Sequence, residues 1–154
     1  MKGNQFTLGL GTTMNINIVN RSENPLPKYA RHGDAGMDIC AAFDDFIAPF
    51  NWKAIHTGLF VEIPEGYEIQ IRSRSGLAFK HGIAVLNSPG TIDSGYRGEI
   101  QVILKNHDHH RYDIKKGERI AQMVVSEFTK ATLTEVAELS DSERGAGGLG
   151  STGK

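Results

Sequence analysis

Residues 54–72 read AIHTGLFVEI-PEG-YEIQIR, and this segment carries the clearest indication of the fold. Apolar and polar side chains alternate from Ala54 to Ile63 and again from Tyr67 to Arg72, which is the pattern of strands with one buried face. Pro64-Glu65-Gly66 is a turn sequence, so the segment predicts a β-hairpin. Other strand-like runs lie at 15–18, 99–105, 119–128 and 132–137, whereas only 77–81 predicts a short helix.

Many short strands separated by glycine and proline turns favour an all-β barrel or sandwich over a helical fold. A chain of 154 residues is long enough for one domain with its own core. Residues 1–13 predict a flexible leader, residues 14–140 the β-barrel domain, and residues 141–154 a mobile C-terminal arm. The arm is expected to be mobile because a glycine-rich segment cannot form a core.

Composition excludes several classes of protein. The formal net charge is −1, so no overall field attracts nucleic acid, and anion binding requires a local cluster. Cys40 is the only cysteine, which rules out an intrachain disulfide and indicates a reducing compartment, with the cytoplasm as the expected location. No apolar run approaches the roughly 20 residues of a membrane span.

Two polar segments in the first half of the chain suggest chemistry. Glycine before an acid, as in Gly36-Met37-Asp38, presents a carboxylate, which near phosphates usually serves Mg²⁺. The alternative is an aspartate that satisfies its own turn. The segment 72–77, RSRSGL, places two arginines and two hydroxyls before the predicted helix, which suits a phosphate chain. The alternative is a capping serine with solvated arginines.

Three later segments are also polar. Residues 87–98, NSPGTIDSGYRG, combine an amide that could read a base, a tyrosine that could stack on a sugar, and Asp93, which could take a proton from water. The alternative is a long loop closed by Asx turns. Residues 117–122 could instead simply begin a strand. The glycine-rich residues 144–153 could wrap a polyphosphate with backbone amides or could be a disordered linker.

Taken together, in this order and spacing, the five segments resemble the five motifs of the homotrimeric dUTPase family, from Asn15 to Gly153. The resemblance implies an all-β, jelly-roll-like subunit, three subunits per molecule and active sites at subunit interfaces. It implies Mg²⁺-assisted hydrolysis of dUTP to dUMP and pyrophosphate. That activity keeps uracil out of DNA and supplies dUMP for thymidylate synthesis.

The resemblance also implies residue roles. Asn87, with backbone groups around Thr91, Ile92 and Gln101, would read the uracil edge in a hairpin pocket. Tyr96 would lie under the deoxyribose and exclude a 2′-hydroxyl. Asp93 would orient and deprotonate the water that attacks the α-phosphorus, and Asp38 would hold Mg²⁺ through its waters. The other implied substrate-binding residues are Arg74, Ser75, Gly76, Gln122, Arg144, Leu149, Gly150 and Ser151.

Four positions depart from the family pattern. Ser73 replaces the usual proline and is expected to loosen its loop. Gly95 stands where an acid is common, but Asp93 is retained, so the chemistry should survive. Ala146 is a minor change. Leu149 replaces the usual phenylalanine and loses aromatic stacking worth about 0.5–1.5 kcal/mol, so a weaker or more mobile closed state is expected.

Two other functions stay open at this level. A dCTP deaminase shares the fold, but no acid is evidently placed for attack at C4 of cytosine, and the glycine-rich arm argues for the pyrophosphatase. A non-catalytic nucleotide-binding trimer would have no need for a water-activating acid such as Asp93. Ammonia release from dCTP, or dUTP binding without turnover, would identify these alternatives.

Overall fold

The computed structural model describes residues 13–148, which form ten strands and one helix. The elements are β1 Asn17–Asn20, β2 Met37–Cys40, β3 Asp45–Ile47, β4 Trp52–Glu62, β5 Tyr67–Arg72, α1 Ser75–His81, β6 Ile83–Val85, β7 Gly90–Ile92, β8 Glu99–Asn106, β9 Tyr112–Ile114 and β10 Arg119–Glu127. Within this range no helix is both long and apolar enough to cross a membrane.

Two antiparallel four-stranded sheets enclose the core. The first sheet has the order β1-β4-β8-β6 and the second has the order β2-β10-β5-β7, while β3 and β9 form a separate pair. Both sheets turn their apolar faces inward, and the largest fully buried side chains are mostly isoleucines. The predicted all-β, jelly-roll-like fold with one short helix is therefore confirmed.

The predicted hairpin of residues 54–72 is wrong. The turn itself forms, since the Tyr67 N–H donates to the Pro64 carbonyl at 3.3 Å. However, β4 pairs with β1 and β8, and β5 pairs with β10 and β7, so the turn carries the chain from one sheet to the other. Alternation shows which face of a strand is buried but not which strand lies beside it.

The strand predicted at 132–137 is also wrong for the described chain. The last strand ends at Glu127, and residues 128–148 contain no strand or helix. Leu133 is 93% exposed and Val136 is 57% exposed, so the apolar side of this segment contacts little of its own chain. A strand forms only where a neighbour accepts its hydrogen bonds, and the described residues provide none here. The boundary expected between domain and arm at residue 140 stays a prediction.

A bulge interrupts the pairing of β4 with β8. His56 lies opposite Gln101 and Phe60 lies opposite Glu99, so extra residues of β4 bow out between these pairs. Gly58 has φ +72°, and a Cβ built on it would lie 2.8 Å from the Ser22 backbone nitrogen. The bulge therefore requires glycine both for its dihedral angle and for space.

Replacing Gly58 with alanine should destabilise the fold strongly. Left-handed backbone strain and the clash with Ser22 together should lower the free energy of unfolding by about 3 kcal/mol. Gly66→Ala is the matched control, because Gly66 has φ +90° but nothing lies within 4 Å of its added Cβ. That variant should lose only about 1 kcal/mol. Urea unfolding at fixed protein concentration measures both, and equal losses would show that the Ser22 contact does not matter.

Candidate active site

The second sheet places three of the five polar segments side by side. Asp38 on β2 lies opposite Gln122 on β10, and Gln122 in turn lies opposite Arg72 on β5. Arg74 is separated from β5 by Ser73 alone and is the residue that precedes the first turn of α1. The first, second and fourth segments thus meet at one end of this sheet.

Asp38 is held between two arginines. The Arg74 Nε donates to Asp38 Oδ1 at 3.0 Å, and the Arg119 Nη1 donates to Asp38 Oδ2 at 3.2 Å. Arg74 Nη1 also donates to the Arg119 carbonyl at 2.8 Å. We call Asp38, Arg74 and Arg119 the carboxylate–arginine cluster. It carries one negative and two positive charges, so it has a net positive charge toward solvent.

Arg119 is a site residue that sequence reasoning missed. The sequence alone is consistent with a polar residue at the start of a strand, but the β10–β2 register shifts between Arg119 and Ala121. Such a bulge redirects side chains, and here it brings Arg119 onto Asp38. The available signal was its position directly after the Gly117 turn, in the same segment as Gln122.

The cluster suits a phosphate chain. The Arg119 side chain is 60% exposed, and each guanidinium has N–H donors beyond those given to Asp38. Cys40 lies next to the cluster, and burial, followed by the Asp38 charge, raises the pKa of its thiol. The thiol is therefore protonated near neutral pH and does not act as a nucleophile.

Gly36 makes room for Gln122. A Cβ built on Gly36 would lie 2.7 Å from Gln122 Oε1, so any larger residue would displace the amide. The first segment thus contributes the charge of Asp38, and its Gly36 leaves room for the Gln122 amide. This contact adds a steric reason for the glycine that the sequence alone did not reveal.

The second segment is anchored through Ser73. Its hydroxyl accepts a hydrogen bond from the Val85 N–H at 2.8 Å, which ties the segment to β6. The hydroxyl provides a link that proline lacks, and the expected loosening of this loop by Ser73 stays a prediction. Ser75 and Gly76 lie exposed in the first turn of α1.

The third segment links the two sheets. Thr91 and Ile92 lie on β7, which pairs with β5, whereas the following strand β8 pairs with β4 and β6. Among the described residues β7 and β8 are not paired, so the implied hairpin is instead a crossing between sheets. The Tyr96 N–H donates to the Asp93 carbonyl at 3.0 Å and closes a turn that leaves Asp93 exposed.

Glycines shape the same segment around Asn87 and Tyr96. A Cβ on Gly90 would lie 3.2 Å from Asn87 Nδ2, so the amide packs closely against this glycine. A Cβ on Gly98 would lie 2.4 Å from the Tyr96 hydroxyl oxygen. The Tyr96 O–H donates to the Glu99 carbonyl at 2.9 Å. The tyrosine ring therefore lies directly over Gly98, and a side chain at position 98 would force the ring to move.

Gln101 lies in the first sheet, on β8. Its Nε2 is 3.2 Å from His56 Nδ1, which in turn is 2.8 Å from Glu99 Oε2. Burial tends to raise the pKa of Glu99, but hydrogen bonds from His56 and the Gly58 amide outweigh it and hold the pKa below its usual value. The side chain of Gln101 thus lies beside His56 of β4.

Within one chain, Asp38 and Asp93 lie far apart. Gly90 of β7, Ile71 of β5 and Met37 of β2 lie on one line across the second sheet. Measured along the strands, Asp38 lies on one side of this line and Asp93 lies on the other side. Strand spacing and rise put the two backbones about 14 Å apart across the sheet and about 13 Å apart along it. One chain therefore cannot present both carboxylates to the same phosphate.

The fifth segment is only partly described. Arg144 Nε donates to the Gly147 carbonyl at 2.9 Å within a local turn, and the segment is exposed. The structure does not bring Arg144 to the carboxylate–arginine cluster. The predicted contacts of Leu149, Gly150 and Ser151 lie outside the described residues.

Together with substrate phosphates, the residues around Asp38 fit a hydrated divalent cation. Within residues 13–148, no group of three His, Cys, Asp or Glu side chains could enclose a metal. Mg²⁺ commonly binds through one carboxylate, several waters and substrate phosphates, so a single acid beside phosphate-binding arginines is a suitable donor set.

Comparison with known proteins agrees with this arrangement. The sequence profile of the dUTPase family matches residues 22–153. A deoxyuridine 5′-triphosphate nucleotidohydrolase of Nautilia profundicola is 59% identical, over 84% of this chain and 91% of that protein. The corresponding protein of Cytophaga hutchinsonii is 54% identical, over 92% of this chain and 94% of that protein.

Solved structures show the same similarity. Staphylococcus bacteriophage 80alpha dUTPase with dUpNHpp has a TM-score of 0.85 and 31% identity, covering 92% of this chain and all of that one. A mutant dUTPase of the S. aureus phage phi11, described for its coordination of a structural Mg(II) ion, has a TM-score of 0.76 and 26% identity, covering 83% of this chain and all of that one.

The jelly-roll-like fold and the positive cluster define a protein suited to binding a phosphate chain. The chain belongs to the dUTPase family. The resemblance noted in the sequence, and the enzyme class that it implied, dUTP diphosphatase, are thereby confirmed.

Stability in acid should depend on Glu99. Because its pKa is lowered in the folded state, Glu99 stabilises the fold above its unfolded pKa of about 4.3, and this contribution is lost as the pH falls through the folded pKa. The stability difference between wild type and Glu99→Gln should therefore shrink between about pH 6 and about pH 3. Urea unfolding across this range measures it. Glu65→Gln, which removes an exposed ion pair with Lys130, is the control. A constant difference would contradict the assignment.

Proposed function

We propose that this chain hydrolyses dUTP to dUMP and pyrophosphate. The observation that carries the proposal is the carboxylate–arginine cluster of Asp38, Arg74 and Arg119, found in a chain of the dUTPase family. This cluster combines donors for phosphate oxygens with a carboxylate for a hydrated cation.

The phosphate chain binds at the end of the second sheet. Arg74 and Arg119 donate to phosphate oxygens, and Ser75, Gly76 and Gln122 contact or orient the same groups. In phosphoryl transfer the protein contributes mainly positioning and charge stabilisation, which fixed guanidinium groups provide. Gly36 supports this role, because it leaves the space that the Gln122 amide fills.

The nucleoside binds along the third segment. Asn87 and the backbone near Thr91, Ile92 and Gln101 recognise the uracil edge, and Tyr96 lies under the deoxyribose. Support comes from the ring of Tyr96, which is fixed on one side by Gly98 and at its hydroxyl by Glu99. A ring held in this way can reject a ribose sugar by shape.

Asp93 activates the water. Its carboxylate accepts a proton as the water oxygen forms a bond to the α-phosphorus. The bond from that phosphorus to the bridging oxygen breaks, and pyrophosphate leaves with the electron pair. Asp93 is exposed at a tight turn, where a carboxylate can reach a bound water.

Asp38 holds Mg²⁺ through the metal's waters. When bound, the cation neutralises charge on the triphosphate and helps to orient it. The Mg(II) site described for the phage phi11 relative is consistent with a divalent cation in this family. The chain itself contributes the Asp38 carboxylate and the two guanidinium groups that donate to this carboxylate.

The active site forms between subunits of a homotrimer. The separation of Asp38 and Asp93 supports an arrangement in which one subunit supplies the cluster and another supplies the water-activating acid. Leu133, Val136 and Leu139 are exposed apolar residues, which indicates a contact with another copy of the chain. The arm of residues 141–154 closes over the nucleotide, where Arg144, Leu149, Gly150 and Ser151 contact it.

The biological consequence follows from the reaction. Hydrolysis of dUTP lowers its availability to polymerases and so keeps uracil out of DNA, and the dUMP formed is the precursor for thymidylate synthesis. With Cys40 as its only cysteine, the protein suits a reducing compartment such as the cytoplasm.

Turnover assays with Mg²⁺ test the activity and its base. Wild type should release pyrophosphate from dUTP but not from dCTP, dTTP or UTP. Asp93→Asn cannot accept the proton and should reduce kcat by about 10²–10⁴-fold with little change in dUTP binding. Turnover of several nucleotides would contradict the proposed pocket. Ammonia release from dCTP would instead identify a deaminase.

Mixed trimers test the shared site. Asp38→Asn and Asp93→Asn chains should each be nearly inactive. After they are unfolded and refolded together in equal amounts, about a quarter of the sites should combine both native carboxylates and recover activity. Refolding either variant alone is the control. If the mixture stays as inactive as its components, the two acids do not come from different subunits.

A further inference from the structure

Glu99 is the first residue of β8 and directly follows the third segment. Its side chain turns toward β4, while its backbone carbonyl turns toward Tyr96. We propose that Glu99 is a positioning residue that holds the Tyr96 ring in place and thereby sets the discrimination between deoxyribose and ribose. The inference rests on the proposed function, because it assigns the specificity of that same site.

The first observation concerns the bulge of β4. The N–H groups of Thr57 and Gly58 both donate to Glu99 Oε1, at 3.1 and 2.8 Å. Backbone amides in an interrupted ladder need such partners, and one carboxylate oxygen here satisfies two of them. The Glu99 side chain is only 20% exposed, so water competes weakly for these bonds. The carboxylate therefore fastens the start of β8 to the middle of β4.

The second carboxylate oxygen of Glu99 also contacts β4. Glu99 Oε2 lies 2.8 Å from His56 Nδ1, and that nitrogen lies 3.2 Å from Gln101 Nε2. The Thr57 hydroxyl also donates to the Ile100 carbonyl at 2.6 Å. Because His56 Nδ1 cannot both donate to Glu99 and accept from Gln101, β4 holds Glu99 and Ile100 of β8, and Glu99 is the outer of the two.

The contact between Glu99 and β4 also bears on the position of Tyr96. The tyrosine O–H donates to the Glu99 carbonyl at 2.9 Å, and the ring lies against Gly98. The ring position therefore depends on the backbone of residues 98 and 99. Glu99 forms the last pair of the β8 ladder, opposite Phe60, and terminal pairs open most easily. Without the carboxylate, this end of β8 and the ring on it can shift.

A shift of the ring changes which sugars fit. A tyrosine face under the sugar rejects a 2′-hydroxyl only while the space beneath that carbon stays closed. Movement of a positioning group by about 1 Å is enough to alter rates by about 100-fold. Loss of the Glu99 link should therefore weaken dUTP turnover and relax the rejection of UTP.

The test compares Glu99→Ala with Glu99→Gln. The glutamine oxygen can still accept both amides, whereas alanine leaves them without a partner. The ratio of kcat/KM for dUTP to that for UTP should fall about tenfold or more in Glu99→Ala and should stay within about threefold of wild type in Glu99→Gln. Glu65→Ala, which removes an exposed carboxylate in a turn, is the matched control and should leave the ratio unchanged.

Hydrogen–deuterium exchange of the free protein provides a readout that does not need turnover. Glu99→Ala should accelerate exchange in residues 94–98 as well as at 57–58, and Glu99→Gln should accelerate neither. If wild type does not hydrolyse dUTP but this coupled change occurs, the link from Glu99 to the Tyr96 segment is supported, whereas the proposed function and the sugar discrimination that rests on it fail.

The opposite result overturns the inference. If wild type hydrolyses dUTP and Glu99→Ala keeps both the dUTP preference and the exchange of residues 94–98, then Glu99 only completes the bulge. Should Glu99→Ala fail to fold, Glu99→Asp replaces it, because its carboxylate is withdrawn by one methylene and cannot reach both amides. The dUTP preference of Glu99→Asp and the exchange of its residues 94–98 then show whether Glu99 positions Tyr96 or only completes the bulge.

Discussion

The hydrogen-bond register of the sheet β2-β10-β5-β7 is the constraint on which the site depends. It sets Asp38 opposite Gln122 and Gln122 opposite Arg72, so residues from distant parts of the sequence meet at one end of the sheet. A shift of one residue would turn each of these side chains to the opposite face. The buried isoleucines of the same strands oppose that shift, and the core thereby fixes the chemistry at its edge.

The sequence predicted the components of the fold better than their connections. Runs such as 99–105 and 119–128 correspond closely to β8 and β10, because alternation directly reports a half-buried strand. The hairpin at residues 64–66 was wrong, because pairing is decided by contacts across the core. Likewise, the run at 132–137 has a strand pattern but no neighbour among the described residues.

The sequence predicted which segments form the site, but it did not predict how these segments are arranged in space. Asp38 and Arg74 were recognisable as candidates from their local sequence, and the structure joins them by a hydrogen bond of 3.0 Å. Arg119 became visible only through a bulge, since register shifts leave no clear mark in composition. The contact of Ser73 with Val85 of β6 could not be predicted from local sequence, because the two residues are 12 positions apart. Long-range hydrogen bonds are the information that a linear pattern lacks.

The contact between Tyr96 and Gly98 also limits how this loop can evolve. A methyl group at position 98 would occupy the place of the tyrosine hydroxyl, so its effect depends on the residue at position 96. Such pairs show epistasis: a change that is harmful in one background is tolerated in another. A larger residue 98 would displace the tyrosine ring, whereas a smaller residue 96 would make room but remove the aromatic face. The two positions are therefore expected to change together.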